Sequence, residues 1–120
     1  MVVDDDATTR VLLRRGFERA AFTVIEANDG LDACDLAVSA RPDIILIDWD
    51  MLKMDGREAT LWLKAHAATA NIPILMLTSH MEPSFRATAL EAGVLDFLEK
   101  PFRIKDIVTH VERCLHSSLR

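Results

Sequence analysis

The chain has 120 residues, a length that suits one compact domain and leaves little room for a second. Its net charge of −5 argues against direct binding of nucleic acid, and no apolar run is long enough to span a membrane. Half of the residues are hydrophobic, so a core can form without disulfides, and we expect Cys34 and Cys114 to be reduced thiols. The acidic N-terminal segment has no signal-peptide pattern, so we expect a cytoplasmic protein that does not bind membranes.

Apolar, β-branched runs alternate with amphipathic segments along the whole chain. The predicted strands are residues 1–3, 23–26, 44–47, 74–77 and 96–98. The predicted helices are residues 8–21, 30–40, 57–68, 83–92 and 104–117. The third and fourth strands are apolar at every position, which is typical of strands covered on both faces of a parallel sheet. Five consecutive βα units therefore predict a single α/β domain over residues 1–120, with an open, doubly wound sheet.

Chemically useful residues follow the predicted strands. Asp4 and Asp5 come after the first strand, Asp48 ends the third, Thr78 ends the fourth and Lys100 follows the fifth. Ligand sites in open α/β sheets lie beyond the carboxyl ends of the strands, so these side chains should converge. Neighbouring carboxylates repel unless a cation lies between them, and an oxygen-only ligand set favours Mg²⁺ or Mn²⁺. A carboxylate beside such an ion can attack phosphorus, with Thr78 and Lys100 contacting the phosphoryl oxygens.

Each of these residues also has an ordinary structural explanation. Asp6 should cap the first helix, Thr78 suits a strand through β propensity, and a lysine before proline is usually a surface residue. Chance poorly explains four strand ends that all carry the required chemistry. The combination favours a phosphoryl-transfer site.

These motifs resemble the receiver domain family of two-component response regulators over nearly the whole chain. The matching segments are VVDD at 2–5, IILIDWDM at 44–51, MDG at 54–56, LMLTS at 75–79 and KPF at 100–102. The intervals of 30 residues from Asp48 to Thr78 and 22 from Thr78 to Lys100 also match the family. The resemblance implies a flavodoxin-like sheet with strand order 2-1-3-4-5 and five helices.

The resemblance also implies a metal-dependent phosphoryl acceptor. Asp48 would accept the phosphoryl group and bind Mg²⁺, and Mn²⁺ could replace that ion. Asp5 would ligate the metal directly, Asp4 partly through water, and Asp50 through its backbone carbonyl. Asp50 and His80, two residues beyond Asp48 and Thr78, would tune the rate of dephosphorylation.

The same resemblance implies a switch and its partners. Thr78 would be drawn toward the phosphate and Lys100 would pair with it, while Phe97 would turn inward on activation. Phe97 is equally well explained as an ordinary core residue of the fifth strand. The phosphoryl donor would be a sensor histidine kinase or a histidine phosphotransfer protein, and residues 83–117 could form a homodimer contact.

Four features depart from the family pattern. Leu52 and Lys53 stand where a proline is usual, so we expect a less rigid loop after Asp48. Gly16 lies inside the first helix, where glycine costs about 1 kcal/mol relative to alanine. Ala21 replaces a glycine at a position where a positive φ is often needed. The first strand is short, which suggests that the natural start lies further upstream.

Three other functions remain open from the sequence. A haloacid-dehalogenase-like phosphatase could use the Asp-x-Asp pair Asp48 and Asp50, although its acidic pair would follow rather than precede that motif. A flavodoxin-like FMN-binding protein would need a phosphate-binding loop where the chain carries Asp4, Asp5 and Asp6. A receiver that acts only as a docking module, without phosphorylation, is the third alternative. Sustained phosphomonoester turnover would favour the first and yellow colour the second.

Overall fold

The computed structural model describes the backbone of residues 1–118 and the side chains of residues 1–116. The strands are β1 (Val2–Val3), β2 (Glu26–Ala27), β3 (Ile45–Asp48), β4 (Ile74–Thr78) and β5 (Asp96–Glu99). The helices are α1 (Ala7–Arg19), α2 (Gly30–Ala40), α3 (Gly56–Ala65), α4 (Pro83–Ala92) and α5 (Ile104–Ser118). Every predicted element therefore occurs in the predicted order. None of the described helices is long and apolar enough to cross a membrane.

The five strands form one parallel sheet in the order β2-β1-β3-β4-β5. This confirms the predicted α/β fold, including the strand order 2-1-3-4-5. Because the strands are parallel, their carboxyl ends meet at one edge of the sheet. The residues that follow β1, β3, β4 and β5 are consequently brought to a common edge.

The sheet is covered on both faces, as its apolar strands predict. Ile45 and Ile47 pack into one cluster, whereas Leu46 between them packs into the other with Leu13 of α1 and Ile107 of α5. Successive strand residues point to opposite faces, so a strand between two helical layers needs apolar side chains at every position.

The second strand differs from its prediction. It covers Glu26–Ala27 rather than residues 23–26, because β1 is only two residues long and pairs Val2 with Glu26 and Val3 with Ala27. Residues 23–25 lie beyond the two residues of β1 and are not part of the strand. The Val2 N–H nevertheless donates to the Ile25 carbonyl at 2.8 Å. Local β propensity identified the region, and the partner strand sets its bounds.

The third helix ends at Ala65, three residues before its predicted end. The loop that follows satisfies the carbonyls there, since the Thr69 hydroxyl donates to the Leu63 carbonyl at 2.6 Å. The Lys64 ammonium group donates to the carbonyls of Ala70 and Ile72 at 3.1 and 2.6 Å. These bonds stabilise the turn into β4 in place of another helical turn.

Two of the unusual small residues have structural reasons. A Cβ atom at Gly16 would collide with the Ile104 side chain, so the glycine lets α1 and α5 approach closely. Ala21 has a φ of 71°, the left-handed conformation expected at that position. The helix starting at Ala7 is capped by Asp6, whose side chain accepts from the Thr8 N–H at 3.2 Å.

Candidate functional site

Three carboxylates meet at the carboxyl edge of the sheet. One oxygen from each of Asp4, Asp5 and Asp48 lies within 4.8 Å of the others. Asp4 and Asp48 are buried, with only 2% and 3% of their surface exposed, whereas Asp5 is exposed. The strand ends therefore bring together the acidic residues that the sequence singled out.

One of the two carboxylate oxygens of Asp4 is available to bind a ligand. Its Oδ1 accepts from the Asp6 N–H at 2.9 Å. Its Oδ2 is buried and has no hydrogen-bond partner among the described residues. Burial raises the pKa of Asp4 above its ordinary value. A buried acceptor without a donor, beside two further carboxylates, fits a divalent cation that prefers oxygen ligands, such as Mg²⁺ or Mn²⁺.

Asp48 is paired with Lys100 at the centre of the site. The Lys100 ammonium group donates to Asp48 Oδ1 in a short contact. Burial raises the pKa of Asp48 to about 6 even though Lys100 acts in the opposite direction. The Lys100 N–H donates to the Thr78 carbonyl at 2.9 Å, so the β4–β5 pairing continues up to the lysine and fixes its backbone.

Thr78 ends β4 next to these groups and is 1% exposed. Its Oγ1 accepts from the His80 N–H at 2.8 Å. The hydroxyl keeps its own proton, which it can donate to another acceptor. Thr78 therefore combines a buried position with a donor available for an incoming anion.

Asp50 and His80, which follow Asp48 and Thr78 by two residues, contact each other. His80 Nε2 lies 3.4 Å from Asp50 Oδ2, and both side chains are partly exposed. The imidazole stacks on the Phe85 ring, with centroids 4.5 Å apart and planes at 13°.

Two residues of this region were missed by the sequence analysis. Arg10 on α1 donates to the Asp4 carbonyl at 2.7 Å and to Glu26 Oε1 at 3.0 Å, so it supports the backbone of the acidic pair. Phe85 on α4 contacts His80 and also meets Trp49 edge-on, with centroids 5.4 Å apart. Neither lies in a motif, and each also contacts a residue that is distant in sequence, Glu26 for Arg10 and Trp49 for Phe85.

The loop after Asp48 has several attachments. The Gly30 N–H donates to the Lys53 carbonyl at 3.0 Å, and the Leu52 N–H lies 3.4 Å from Asp5 Oδ2. The Leu52 side chain is 96% exposed. A Cβ atom at Gly30 would collide with the Met54 carbonyl, so this glycine allows α2 to reach the loop. That the loop is less rigid than in its relatives stays a prediction.

Phe97 lies half-buried on β5, opposite Met76 of β4. The Arg86 guanidinium of α4 lies over its ring, 5.7 Å from the centroid. Phe97 packs only at the border of the core.

A model of the response regulator receiver domain family matches residues 1–112. This chain belongs to that family. The receiver domain is thereby assigned to two-component signal transduction rather than to the dehalogenase-like phosphatases or the FMN-binding flavodoxins.

Curated relatives agree with this assignment. The response regulator MprA of Mycobacterium avium (strain 104) is 36% identical over 115 residues, which cover 96% of this chain and 50% of the relative. The MprA protein of Mycobacterium ulcerans (strain Agy99) is likewise 36% identical over 115 residues, covering 96% of this chain and 49% of that protein. The receiver domain spans about half the length of the curated relatives it matches.

Solved structures share the fold. The chemotaxis protein CheY4 of Vibrio cholerae superposes with a TM-score of 0.89 at 29% identity, covering 93% of each chain. The receiver domain of the sensor histidine kinase PA1611 from Pseudomonas aeruginosa PAO1 has a TM-score of 0.87 at 27% identity, covering 96% of this chain and 94% of that one. That structure has a magnesium ion coordinated in its active site cleft.

Proposed function

We propose that residues 1–120 form one receiver domain that accepts a phosphoryl group on Asp48, in a Mg²⁺-dependent reaction. The donor is the phosphohistidine of a sensor histidine kinase or of a histidine phosphotransfer protein. One observation carries the proposal: buried Asp48 contacts Lys100 and lies within one cluster of carboxylate oxygens with Asp4 and Asp5. A cytoplasmic location stays a prediction.

The acidic cluster suits the metal that this reaction needs. The side chains of Asp4, Asp5 and Asp48 and the backbone carbonyl of Asp50 would hold Mg²⁺, and the same oxygens suit Mn²⁺. When bound, the ion neutralises the carboxylates and the charge on the phosphoryl oxygens. The unpartnered Asp4 Oδ2 supports this ligand set.

The chain's own side chains account for the transfer. An Asp48 carboxylate oxygen forms a bond to phosphorus while the bond from phosphorus to the donor's imidazole nitrogen breaks, and the imidazole takes up a proton from solvent. Lys100 then pairs with a phosphoryl oxygen instead of the free carboxylate. Thr78 donates its hydroxyl proton to another phosphoryl oxygen.

The phosphorylated state would be transmitted through α4, β5 and α5. Phosphorylation adds nearly two negative charges beside Thr78 and Lys100. Thr78 would move toward the phosphate and donate its hydroxyl proton to a phosphoryl oxygen, and Phe97 would turn inward. Residues 83–117, which include this surface, would form the contact with a second copy or an effector.

Intact mass spectrometry tests the acceptor. With Mg²⁺ and acetyl phosphate, the wild-type domain should gain the mass of one phosphoryl group, and Asp48→Asn should gain none. Asp35→Asn, on the exposed surface of α2, is the matched control and should behave as wild type. An Asp48→Asn protein that gains the same mass would overturn the proposal. A folded wild type that gains none would support a phosphorylation-independent docking receiver.

A further inference from the structure

Three aromatic rings and a carboxylate form a continuous row beside the proposed phosphorylation site. Asp50 contacts His80 through Oδ2 and Nε2 at 3.4 Å. His80 stacks on Phe85, and Phe85 meets the edge of Trp49, which directly follows Asp48. The row thus begins at Asp50, two residues after the acceptor, and passes through His80 to Phe85 of α4. It ends at Trp49, the residue directly after the acceptor.

The His80 side chain depends on Phe85 for its place in this row. The contact between His80 and Asp50 joins side chains that are 37% and 60% exposed, and the imidazole is charged only when protonated. Exposed pairs of this kind contribute little to holding a conformation. The near-parallel contact with Phe85, at 4.5 Å and 13°, is an ordinary stacked arrangement and supplies the more durable restraint.

Phe85 is itself well anchored. It follows Pro83 in the first turn of α4 and packs against the buried cluster on one face of the sheet. The His80 backbone is fixed separately, because its N–H donates to Thr78 Oγ1 at 2.8 Å. Loss of the Phe85 ring would therefore free the imidazole without removing the bond that holds its backbone.

We propose that Phe85 is a positioning residue that holds the His80 imidazole against Asp50 across the mouth of the site and so slows hydrolysis of the phosphoryl group. Water must reach phosphorus from the open side, away from the Asp48 oxygen. An imidazole fixed against Asp50 obstructs that approach, whereas a free imidazole leaves it open. This inference rests on the proposed function, because it concerns the lifetime of the phosphorylated state.

The test compares dephosphorylation rates in a double-mutant cycle. Protein is phosphorylated with acetyl phosphate and Mg²⁺, the donor is removed, and the loss of phosphoryl mass is followed over time. Phe85→Leu should shorten the lifetime by about two- to tenfold, the range that the energy of one aromatic pair allows. In a His80→Ala background, Phe85→Leu should have no further effect, since Phe85 acts through His80. Phe85→Tyr keeps the ring and should preserve the wild-type lifetime.

Leu90→Ala is the matched control, because Leu90 lies on the same helix, is 53% exposed and is not part of the row. Its lifetime should equal that of wild type. Phe85→Met serves as the second ring-free variant if Phe85→Leu does not fold. The proton spectrum gives a readout independent of phosphorylation: the His80 ring signals should lose their upfield ring-current shift in both ring-free variants.

Two results would overturn the inference while leaving the proposed function intact. One is normal phosphoryl uptake with the same lifetime in the ring-free variants as in wild type. The other is an equal shortening with and without His80, which would mean that Phe85 acts only through α4. A wild type that takes up no phosphoryl group would overturn the proposed function and this inference together.

Discussion

Asp48, the proposed phosphoryl acceptor, is a buried carboxylate whose burial opposes its ionisation. The side chain is 3% exposed, and its burial raises its pKa to about 6 although Lys100 favours the charged form. Asp4 beside it is also buried and also has a raised pKa. Without a cation, the folded domain therefore favours protonated carboxyls at a pH where the unfolded chain has ionised ones.

Neutralising Asp48 should stabilise the metal-free domain. The folded pKa of Asp48, about 6, lies above the ordinary 3.8. The free energy of unfolding therefore falls as the pH rises from 3.8 to about 6, and the full loss of stability is present above that range. In EDTA at pH 8, Asp48→Asn should melt about 5 °C higher, which corresponds to roughly 1–2 kcal/mol. Thermal melts over a pH series measure this, and the difference should shrink toward pH 4. A lower melting temperature than wild type at pH 8 would contradict the assigned cause.

Trp49 should report binding of Mg²⁺ at the acidic cluster. It is buried next to Asp48, so filling of the site should change its fluorescence in a Trp62→Phe background. Asp5→Ala should eliminate the response because it removes one of the three converging carboxylates. Asp35→Ala, an exposed position on α2 that is not part of the acidic cluster, should titrate as the parent does. An unchanged titration in Asp5→Ala would remove Asp5 from the ligand set.

Arg10 should strengthen Mg²⁺ binding although it carries a positive charge. Its guanidinium donates to the Asp4 carbonyl, and Glu26 offsets the charge. Arg10→Gln should weaken Mg²⁺ binding by about tenfold, in line with the usual effect of residues that support metal ligands. Arg14→Gln is the matched control, since Arg14 pairs with the same Glu26 but makes no bond to Asp4. If Arg10→Gln bound Mg²⁺ as tightly as wild type or more tightly, repulsion between the Arg10 charge and the ion would outweigh the support that Arg10 gives to Asp4.

At the scale of elements, sequence and structure agree where an element is defined by its own residues. The apolar strands β3 and β4 and the helices α2 and α4 lie within one residue of their predicted bounds. The bounds of β2 depend on β1, and the end of α3 depends on Thr69 and Lys64, so local patterns could not give them. The same reason explains why residues after strands were foreseen for the site, whereas Phe85 and Arg10 were not.

The elements that carry the signal should be those attached to Thr78 and Lys100. Phe97 of β5 lies under Arg86 of α4, and His110 of α5 lies 3.0 Å from Asp96 of β5, so α4, β5 and α5 are linked by side chains. Hydrogen exchange with and without a beryllofluoride phosphate mimic should change in residues 79–110. Within α2 it should change hardly at all beyond Gly30, whose N–H bonds to the loop after Asp48.

A change in hydrogen exchange confined to the loop after Asp48 would contradict transmission of the signal through α4, β5 and α5. The domain would then store a phosphoryl group without transmitting it. Because α2 and α4 lie in the same molecule, α2 serves as the internal control for a general change in stability.

At the scale of the whole molecule, the strand order explains why one short chain can bring these groups together. Parallel pairing in the order β2-β1-β3-β4-β5 places the ends of β1, β3 and β4 side by side, and β5 adds Lys100 from the adjacent position. The order itself came from the family resemblance, since alternating strands and helices do not determine it. The receiver domain spans about half of its curated relatives, so its output and its partner kinase stay proposals.

The central claim is that Asp48 carries the phosphoryl group, and borohydride trapping tests it most directly. Borohydride reduces an aspartyl phosphate to homoserine, and peptide mass spectrometry then locates the altered residue. After treatment with acetyl phosphate and Mg²⁺, homoserine should be found at position 48 and should be absent when the donor or the metal is omitted. Homoserine at Asp4, Asp5 or Asp50 instead of position 48, or a phosphoryl group that resists borohydride on His80, would contradict the account.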